Sequence, residues 1–318
     1  MIVTVTLNAA IDRTLTVPNF QLGHRHRSSH SLTLAGGKGI NIARALKRLD
    51  MPVVATGLAG GRSGTRIVEE MTDEGLLNDF VRIGDESRTS TAVVDPTAGT
   101  YTEINEWGPA VTRVELELLL EKLHYLSRSA EMVVFAGTLP RDVHNGFYAD
   151  AVRELNRRGV RTVLDCEGEA LRLGVEAEPY LVSPNQREAE GLVGMELETA
   201  EDFVAALDHI ASLGARNVHI TTESGCYALL REERTTLRLH AAAPQVEPVS
   251  VVGAGDVLLA AYIAARLDDR PADEAMRMAV AAGTASTLEV GAGRFEPREL
   301  GRLIERVQVS SLEAVATE

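Results

Sequence analysis

Met132–Val133–Val134–Phe135–Ala136–Gly137–Thr138–Leu139–Pro140 is the stretch whose reading decides the fold. Five apolar residues closed by a glycine and a proline read as a buried strand running into a turn. A helical pattern over 111–126 precedes it, and another over 144–158 leads to a second strand, Arg161–Thr162–Val163–Leu164–Asp165. The texture repeats. A short strand, Tyr180–Leu181–Val182, delivers Ser183–Pro184–Asn185 and a charged helix, and a helix over 199–213 delivers the strand Asn217–Val218–His219–Ile220–Thr221. A hairpin across 226–240 follows, then helices opening at Gly255 and at about Ala272, a last helix near 298–308 and a polar tail. Strands separated by helices of about 10–15 residues predict a mainly parallel sheet covered on both faces.

Toward the N-terminus, Ile2–Val3–Thr4–Val5–Thr6–Leu7 is a β-branched strand, and Val53–Val54–Ala55–Thr56–Gly57 is another, with a helix from Gly60 to about 75. Residues 13–34 alternate imperfectly and fit no amphipathic helix, while 77–82, 88–95 and 100–105 read as strands. The expected architecture is one α/β domain over 1–318, with a small β lid formed by about 13–35 and 88–106.

The 318 residues are 45% hydrophobic and 25% charged, enough to bury a sizeable core. A formal charge of −14 argues against nucleic acid or an anionic membrane surface as partner, but leaves room for an anionic small molecule in a local basic pocket. No apolar run of about 18 residues and no basic leader is seen, so a soluble, cytoplasmic protein is expected. Two cysteines, Cys166 and Cys226, are too few for a disulfide framework or a metal cluster.

The chemistry concentrates in short polar stretches. Val252–Gly253–Ala254–Gly255–Asp256 stands before the apolar run Val257–Leu258–Leu259–Ala260–Ala261–Tyr262. Three small residues and an acid at a helix start set unblocked N–H groups beside a carboxylate, which suits phosphoryl transfer: the amides hold developing negative charge and the acid takes a proton from the attacking hydroxyl. Plain helix capping is the other reading. Asn8 and Asp12, just beyond the first strand, read either as hydroxyl-binding groups or as an Asx-turn. Gly36–Gly37–Lys38–Gly39–Ile40–Asn41 is a loop entering a helix with Lys38 at its mouth. It suits a sugar or phosphate clamp or a tight packing turn, and lacks the spacing of a P-loop or of the dinucleotide pattern. Arg88 is either a phosphate fork or a surface arginine. His24–Arg25–His26–Arg27–Ser28–Ser29–His30, a basic spot, either faces an anionic substrate or is a solvated strand face; no acid or cysteine nearby completes a metal set.

In order along the chain, Thr6–Asp12, Gly36–Arg44, Arg88–Thr91, Thr102–Asn105, Ala136–Pro140, Pro184–Glu188 and Val252–Asp256 resemble the motifs of the ribokinase-like (PfkB) carbohydrate kinase family. The nearest branch is that of the hexose-phosphate kinases: 1-phosphofructokinases, tagatose-6-phosphate kinases and minor 6-phosphofructokinases. The resemblance implies a three-layer α/β fold with a β-sheet lid, and ATP- and Mg²⁺-dependent phosphorylation of a sugar phosphate, foremost fructose 1-phosphate, with tagatose 6-phosphate or fructose 6-phosphate as alternatives. It implies Asp256 as base and the backbone of Gly253, Ala254 and Gly255 as anion hole. Asn8, Asp12, Gly36, Gly37, Asn41 and Asn105 would bind sugar. Lys38 and Arg88 would bind its phosphate, helped by Thr138 and the histidine-arginine strand of the lid. Asn185 and Glu188 would hold Mg²⁺ through water, Thr222 and Gly225 would form the nucleotide-side turn, Gly255 would adjoin the nucleotide, and Gly283 would lie in the region closing over adenine. A homodimer through the lid is implied as well.

The chain departs from the family at Asn8–Ala9–Ala10, where Asn-Pro-Ala is common, and at Ser183, Val257 and Ala260–Ala261. Two other readings stand beside the kinase. A noncatalytic sugar-phosphate sensor would be favoured by loss of Asp256 or of its glycine turn, and both are present. A dinucleotide oxidoreductase would need a glycine turn after the first strand, where Asn8–Asp12 stands instead. Asp256 is expected to face the positive end of its helix and so to stay ionised.

Overall fold

A β-branched run without a charge reads as covered on both sides, and Ile2–Thr6 (β1) is buried at all five positions, its Thr4 and Thr6 included. In the computed structural model, which describes residues 1–233 and 235–312, it lies inside a ten-stranded sheet. The chain continues through β2 (Ala10–Thr16), β3 (His30–Gly36), α1 (Lys38–Arg48), β4 (Val53–Gly60), α2 (Gly61–Asp73), β5 (Asn78–Ile83), β6 (Arg88–Asp95) and β7 (Thr100–Asn105). Alternating layers follow: α3 (Arg113–Leu126), β8 (Met132–Ala136), α4 (Phe147–Arg157), β9 (Arg161–Asp165), α5 (Gly168–Val175), β10 (Leu181–Val182), α6 (Gln186–Val193), α7 (Ala200–Leu213) and β11 (Asn217–Thr222). The chain closes with β12 (Gly225–Arg231), β13 (Thr236–Ala242), α8 (Ala254–Leu267), α9 (Ala272–Ser286), α10 (Pro297–Ile304) and β14 (Gln308–Ser311).

The large sheet runs β14-β13-β12-β11-β10-β9-β8-β1-β4-β5. From β5 to β11 neighbours pair in parallel, and β12, β13 and β14 add on antiparallel. Two apolar clusters fill its faces. One holds Ile40, Leu46, Met71, Leu259 and Met276, the inward side chains of α1, α2, α8 and α9; the other holds Leu119, Tyr148, Leu171 and Leu207 from α3, α4, α5 and α7. This is the expected three-layer sandwich with a mainly parallel sheet.

β1 pairs with β4 on one side and β8 on the other, so the chain reverses its direction of travel across the sheet there. Ligands of open α/β sheets bind at such a switch point, outside the carboxyl ends of the strands. Over that edge stands the second sheet, β3-β2-β6-β7. Its register pairs Asp12 with Leu34 and Ser90, and Ser90 with Asn105; period two then places Asp12, Arg88, Ser90, Glu103 and Asn105 on one face.

Four local features differ from the sequence expectation. His24–Arg27 form an exposed loop rather than a strand, beyond the Thr16–His30 end of the β2–β3 ladder, whereas the cavity lies at its Ala10–Gly36 end. An unexpected helix, α5, follows Glu167. The last helix stops at Ile304, and the tail contributes β14, paired with β13. The rest of the predicted polar tail, residues 313–318, lies outside the described residues.

Candidate active site

A cavity of about 910 Å³ opens between the two sheets. Its floor is made where the parallel strands end: Thr6 at the end of β1 and Asn8 after it, Thr138 after β8, Asp165 at the end of β9, Asn185 after β10 and Thr221 in β11. The lid supplies Asp12, Arg88, Tyr101, Glu103 and Asn105, α1 supplies Lys38 and Asn41, and α8 with the residue before it supplies Gly253, Gly255 and Asp256.

Two helix starts face this space. The residue before α1 is Gly37 (φ 112°) and that before α8 is Gly253 (φ 76°); both need backbone geometry open mainly to glycine, and neither helix has a side chain capping its first turn. Uncapped first-turn N–H groups attract anions. A Cβ at Gly255 would meet open space, as expected of a backbone that faces a ligand.

Asp256 is only 5% exposed. Its Oδ2 accepts from Asn41 Nδ2 at 2.8 Å. Burial pushes its carboxyl well above the ordinary range, with Asp165 and Asp12 adding to the rise and Lys38 and the Asn41 donor opposing it. The expectation that a helix end keeps this group readily ionised is therefore corrected: desolvation among other acids outweighs the helix-terminal effect.

Lys38 Nζ donates to Asp165 Oδ1 at 2.7 Å and lies 3.6 Å from Glu188 Oε1. Burial works against its charge, but Asp165, Glu188 and Asp256 more than compensate and hold it protonated above the usual amine range. The family resemblance assigns Lys38, like Arg88, to the phosphate of the sugar; in the structure the Lys38 ammonium lies against Asp165, a residue the sequence does not single out. Its position at the carboxyl end of a parallel strand was the available signal, the same one that singled out Asn8.

On the lid side Arg88 Nη1 donates to Asn105 Oδ1 at 3.0 Å and Arg88 Nε to the Asn8 carbonyl at 3.3 Å. Ser90 Oγ, Asn105 Nδ2 and Tyr101 OH all donate to Glu103. Burial pushes Asp12 up to about 6, with Arg88 pulling down and Glu103 pushing up. Asn8 Nδ2 donates to Thr138 Oγ1 at 2.9 Å, leaving the buried Asn8 Oδ1 without a partner at the cavity wall.

Asn185 and Glu188 form the capping box of α6, each side chain taking the other's backbone N–H at 2.9 Å, so Glu188 Oε1 is the oxygen left toward Lys38. Among the described residues no group of three or more His, Cys, Asp or Glu forms a metal cage. Mg²⁺ in nucleotide sites commonly keeps several waters and takes one or two carboxylates beside substrate phosphates. The hard oxygen donors of Glu188, Asp165 and Asn185 fit that mode.

Five predicted positions do not reach the cavity wall. Gly36 is packed under Asp12, where a Cβ would overlap the carboxylate, and Ala254 lies within the first turn of α8. Thr222 and Gly225 close the β11–β12 turn through their own hydrogen bond, leaving Thr221 on the wall. Gly283 sits where α9 crosses α8, and a Cβ there would press on Ala254 O and Leu258 Cβ, each at 3.1 Å. The cavity also takes in Tyr101, Glu103, Arg141, Glu167 and Trp107, the last 83% exposed at the mouth. None of these was singled out as a site residue from the sequence.

The family profile described as pfkB family carbohydrate kinase matches residues 3–299. The 1-phosphofructokinase of Bacillus subtilis (strain 168) is 32% identical over 98% of this chain and 100% of its own length. That of Rhodobacter capsulatus is 31% identical over 99% of both. Among solved structures, a possible 1-phosphofructokinase of Thermotoga maritima superposes with a TM-score of 0.87 at 25% identity, covering 98% of this chain and 100% of the other. Phosphofructokinase-2 of Escherichia coli, in complex with substrates and products, does so with 0.86 at 26%, covering 96% and 98%.

Proposed function

Because the chain belongs to the pfkB family of carbohydrate kinases, we propose that it transfers the γ-phosphoryl group of ATP to the free primary hydroxyl of fructose 1-phosphate, giving fructose 1,6-bisphosphate and ADP. The observation that carries the reading is the buried Asp256, in contact with Asn41 beside the uncapped start of α8, in a cavity that a second uncapped helix start also faces. A kinase acting on a sugar phosphate handles two anionic groups, and the site offers two anion-attracting backbone ends together with Arg88 and Lys38.

In this reading the sugar hydroxyl donates its proton to Asp256 as its oxygen bonds to phosphorus. The bond from phosphorus to the β–γ bridging oxygen breaks, and ADP leaves. The raised affinity of Asp256 for a proton makes it the stronger base once ionised. Backbone N–H groups of Gly253 and Gly255, both on the cavity wall, meet the charge on the transferring group, and Lys38 stabilises it from the other side; the Ala254 N–H, donated to Val251 O, takes no part. Asn8, Asp12, Asn41 and Asn105 orient the sugar, and Arg88 with Thr138 holds the phosphate it already carries. Asn185 and Glu188 would hold Mg²⁺ through water; the ion, when bound, neutralises triphosphate charge.

Fructose 6-phosphate is the second acceptor to weigh, because the E. coli phosphofructokinase-2 has been solved in complex with it. The deciding experiment compares kcat/KM for ATP consumption with fructose 1-phosphate, fructose 6-phosphate, tagatose 6-phosphate and free fructose. A preference for fructose 1-phosphate supports the assignment; reaction of unphosphorylated sugars alone overturns it. A cytoplasmic location and a homodimer through the outer lid face, where Ile104 is 63% exposed, belong to the same reading. Among the described residues no helix is long and apolar enough to cross a membrane. The mass in solution tests the dimer.

A further inference from the structure

Arg44 lies one helical turn after Asn41 on α1 and is only 5% exposed. Its guanidinium meets acceptors from four segments. Nη1 donates to Asn41 Oδ1 at 3.2 Å and to Ala292 O at 3.0 Å, Nη2 donates to Ala35 O at 2.9 Å, and Nε donates to Glu74 Oε2 at 2.7 Å. Glu74 follows α2 and is also reached by Arg294 at 3.3 Å. Ala35 stands near the end of β3, and Ala292 belongs to the loop after α9.

The chemistry of these groups fixes the Asn41 amide. A guanidinium only donates, so the Asn41 atom facing Arg44 has to be the carbonyl oxygen. The NH₂ group then points the other way, where it meets Asp256 Oδ2 at 2.8 Å. An ionised carboxylate only accepts, so both ends of the amide agree. If the amide turned over, its oxygen would face Asp256 and the ionised form would lose its one side-chain donor in this network.

We propose that Arg44 is a positioning residue for phosphoryl transfer, aiming the Asn41 amide donor at Asp256 while it ties the 291–293 loop and the end of β3 to the start of α1. It touches neither substrate nor the reacting atoms in this scheme and acts through Asn41. Packing agrees with the tie: a Cβ at Gly293 would lie 2.6 Å from Asn41 O, so this loop runs directly against the backbone of the residue being oriented. The inference rests on Asp256 being the base.

The consequence concerns the protonation of Asp256. The groups that face it are Lys38 and Asn41 from α1, Asp165 from β9 and Asp12 from β2; the Asn41 donor and Lys38 favour its ionised form and the two acids disfavour it. Removing Arg44 leaves Lys38 and Asp165 in place and weakens the donor; it also removes a charge that favours ionised Asp12, which opposes but does not replace the loss of the Asn41 contact. The acid limb of the kcat–pH profile then moves upward, by about one pH unit for a lost hydrogen bond to a charged group, and kcat falls about tenfold on the acid side of the limb and by a smaller factor at neutral pH.

The test is the kcat–pH profile of Arg44→Met, Arg44→Lys, Asn41→Ser and the Arg44→Met/Asn41→Ser double variant, each corrected for folded enzyme by circular dichroism. Expected are similar upward shifts in Arg44→Met and Asn41→Ser, no further shift in the double variant, and partial return in Arg44→Lys, which keeps a donor. An unmoved limb in Arg44→Met, or shifts that add in the double variant, would show a purely structural arginine and overturn the inference. Should Arg44→Met fail to fold, an unmoved limb in Arg44→Lys beside a moved one in Asn41→Ser overturns it equally. Full turnover in Asp256→Asn would instead defeat the underlying assignment of the base, so the two failures are distinguishable.

Discussion

Lys38 and Asp165, 127 positions apart in sequence, meet at 2.7 Å in the wall of the cavity, joining the start of α1 to the end of β9. The pair sets the charge around Asp256 from both directions, since Lys38 favours its ionised form and Asp165 disfavours it.

Opposite pH shifts follow for the two partners. Lys38→Met moves the acid limb of kcat/KM upward and lowers the plateau by about 10²–10³-fold, the range for removing one electrostatic contact to the transferring group. Asp165→Asn moves the limb downward. Initial-rate profiles between pH 5 and 9 read both effects; shifts of the same sign would contradict the arrangement.

For the unmodified enzyme, that limb belongs above the ordinary carboxylate range. Burial pushes Asp12 up to about 6 and raises Asp256 as well, so activity is lost as pH falls through neutral and mildly acidic values rather than near pH 4. Asp12→Asn shifts the limb downward, because the Asp12 charge is one of those that raise Asp256. A limb near pH 4 in the native enzyme would contradict the burial argument.

Stability carries the same signature with a definite sign. A carboxyl whose folded pKa is raised binds a proton more tightly in the folded state than in the unfolded one. Its contribution therefore becomes unfavourable as pH rises from the ordinary carboxylate range through the folded value. Asp256→Asn removes that penalty and keeps an acceptor for Asn41. Its melting temperature should exceed that of the native protein at pH 8, by an increment equivalent to roughly 1–2 kcal/mol, with the difference closing toward pH 5. Thermal melts across pH check this; a less stable variant at pH 8 would count against it.

Arg88 divides binding from turnover. Its fork is held by Asn105 and the Asn8 carbonyl on the lid. Arg88→Ala is expected to raise KM for the sugar phosphate by at least about tenfold, the loss of one charged contact, with KM for ATP little changed. An unchanged sugar-phosphate KM would remove Arg88 from the phosphate-binding role.

The parallel core was legible because each strand is a short apolar run between helical periods. Likewise, the lid strands were legible from their imperfect alternation. α5 escaped notice because its eight residues begin without a side-chain cap, and β14 because Gln308–Ser311 is a short polar edge strand. Asn8, Asp12, Gly37, Lys38, Asn41, Arg88, Asn105, Thr138, Asn185, Glu188, Gly253, Gly255 and Asp256 line one cavity; local chemistry marked Asn8, Asp12, Lys38, Arg88 and the 253–256 turn, while the family resemblance alone pointed to Asn41, Asn105, Thr138, Asn185 and Glu188. Both failed where the answer depends on distant partners. The Lys38–Asp165 pair and the acids around Asp256 exist only once β2, β9 and α8 are brought together. Thr222 stands one residue past Thr221, the strand residue that reaches the wall, an offset that motif spacing does not resolve.

The most direct test of the account is kcat of Asp256→Asn with fructose 1-phosphate and MgATP, measured beside calorimetric titration of both substrates. The account predicts substrate affinities close to native and kcat lowered by about 10²–10⁴-fold, the range for loss of a general base. Native turnover in the folded variant would contradict it.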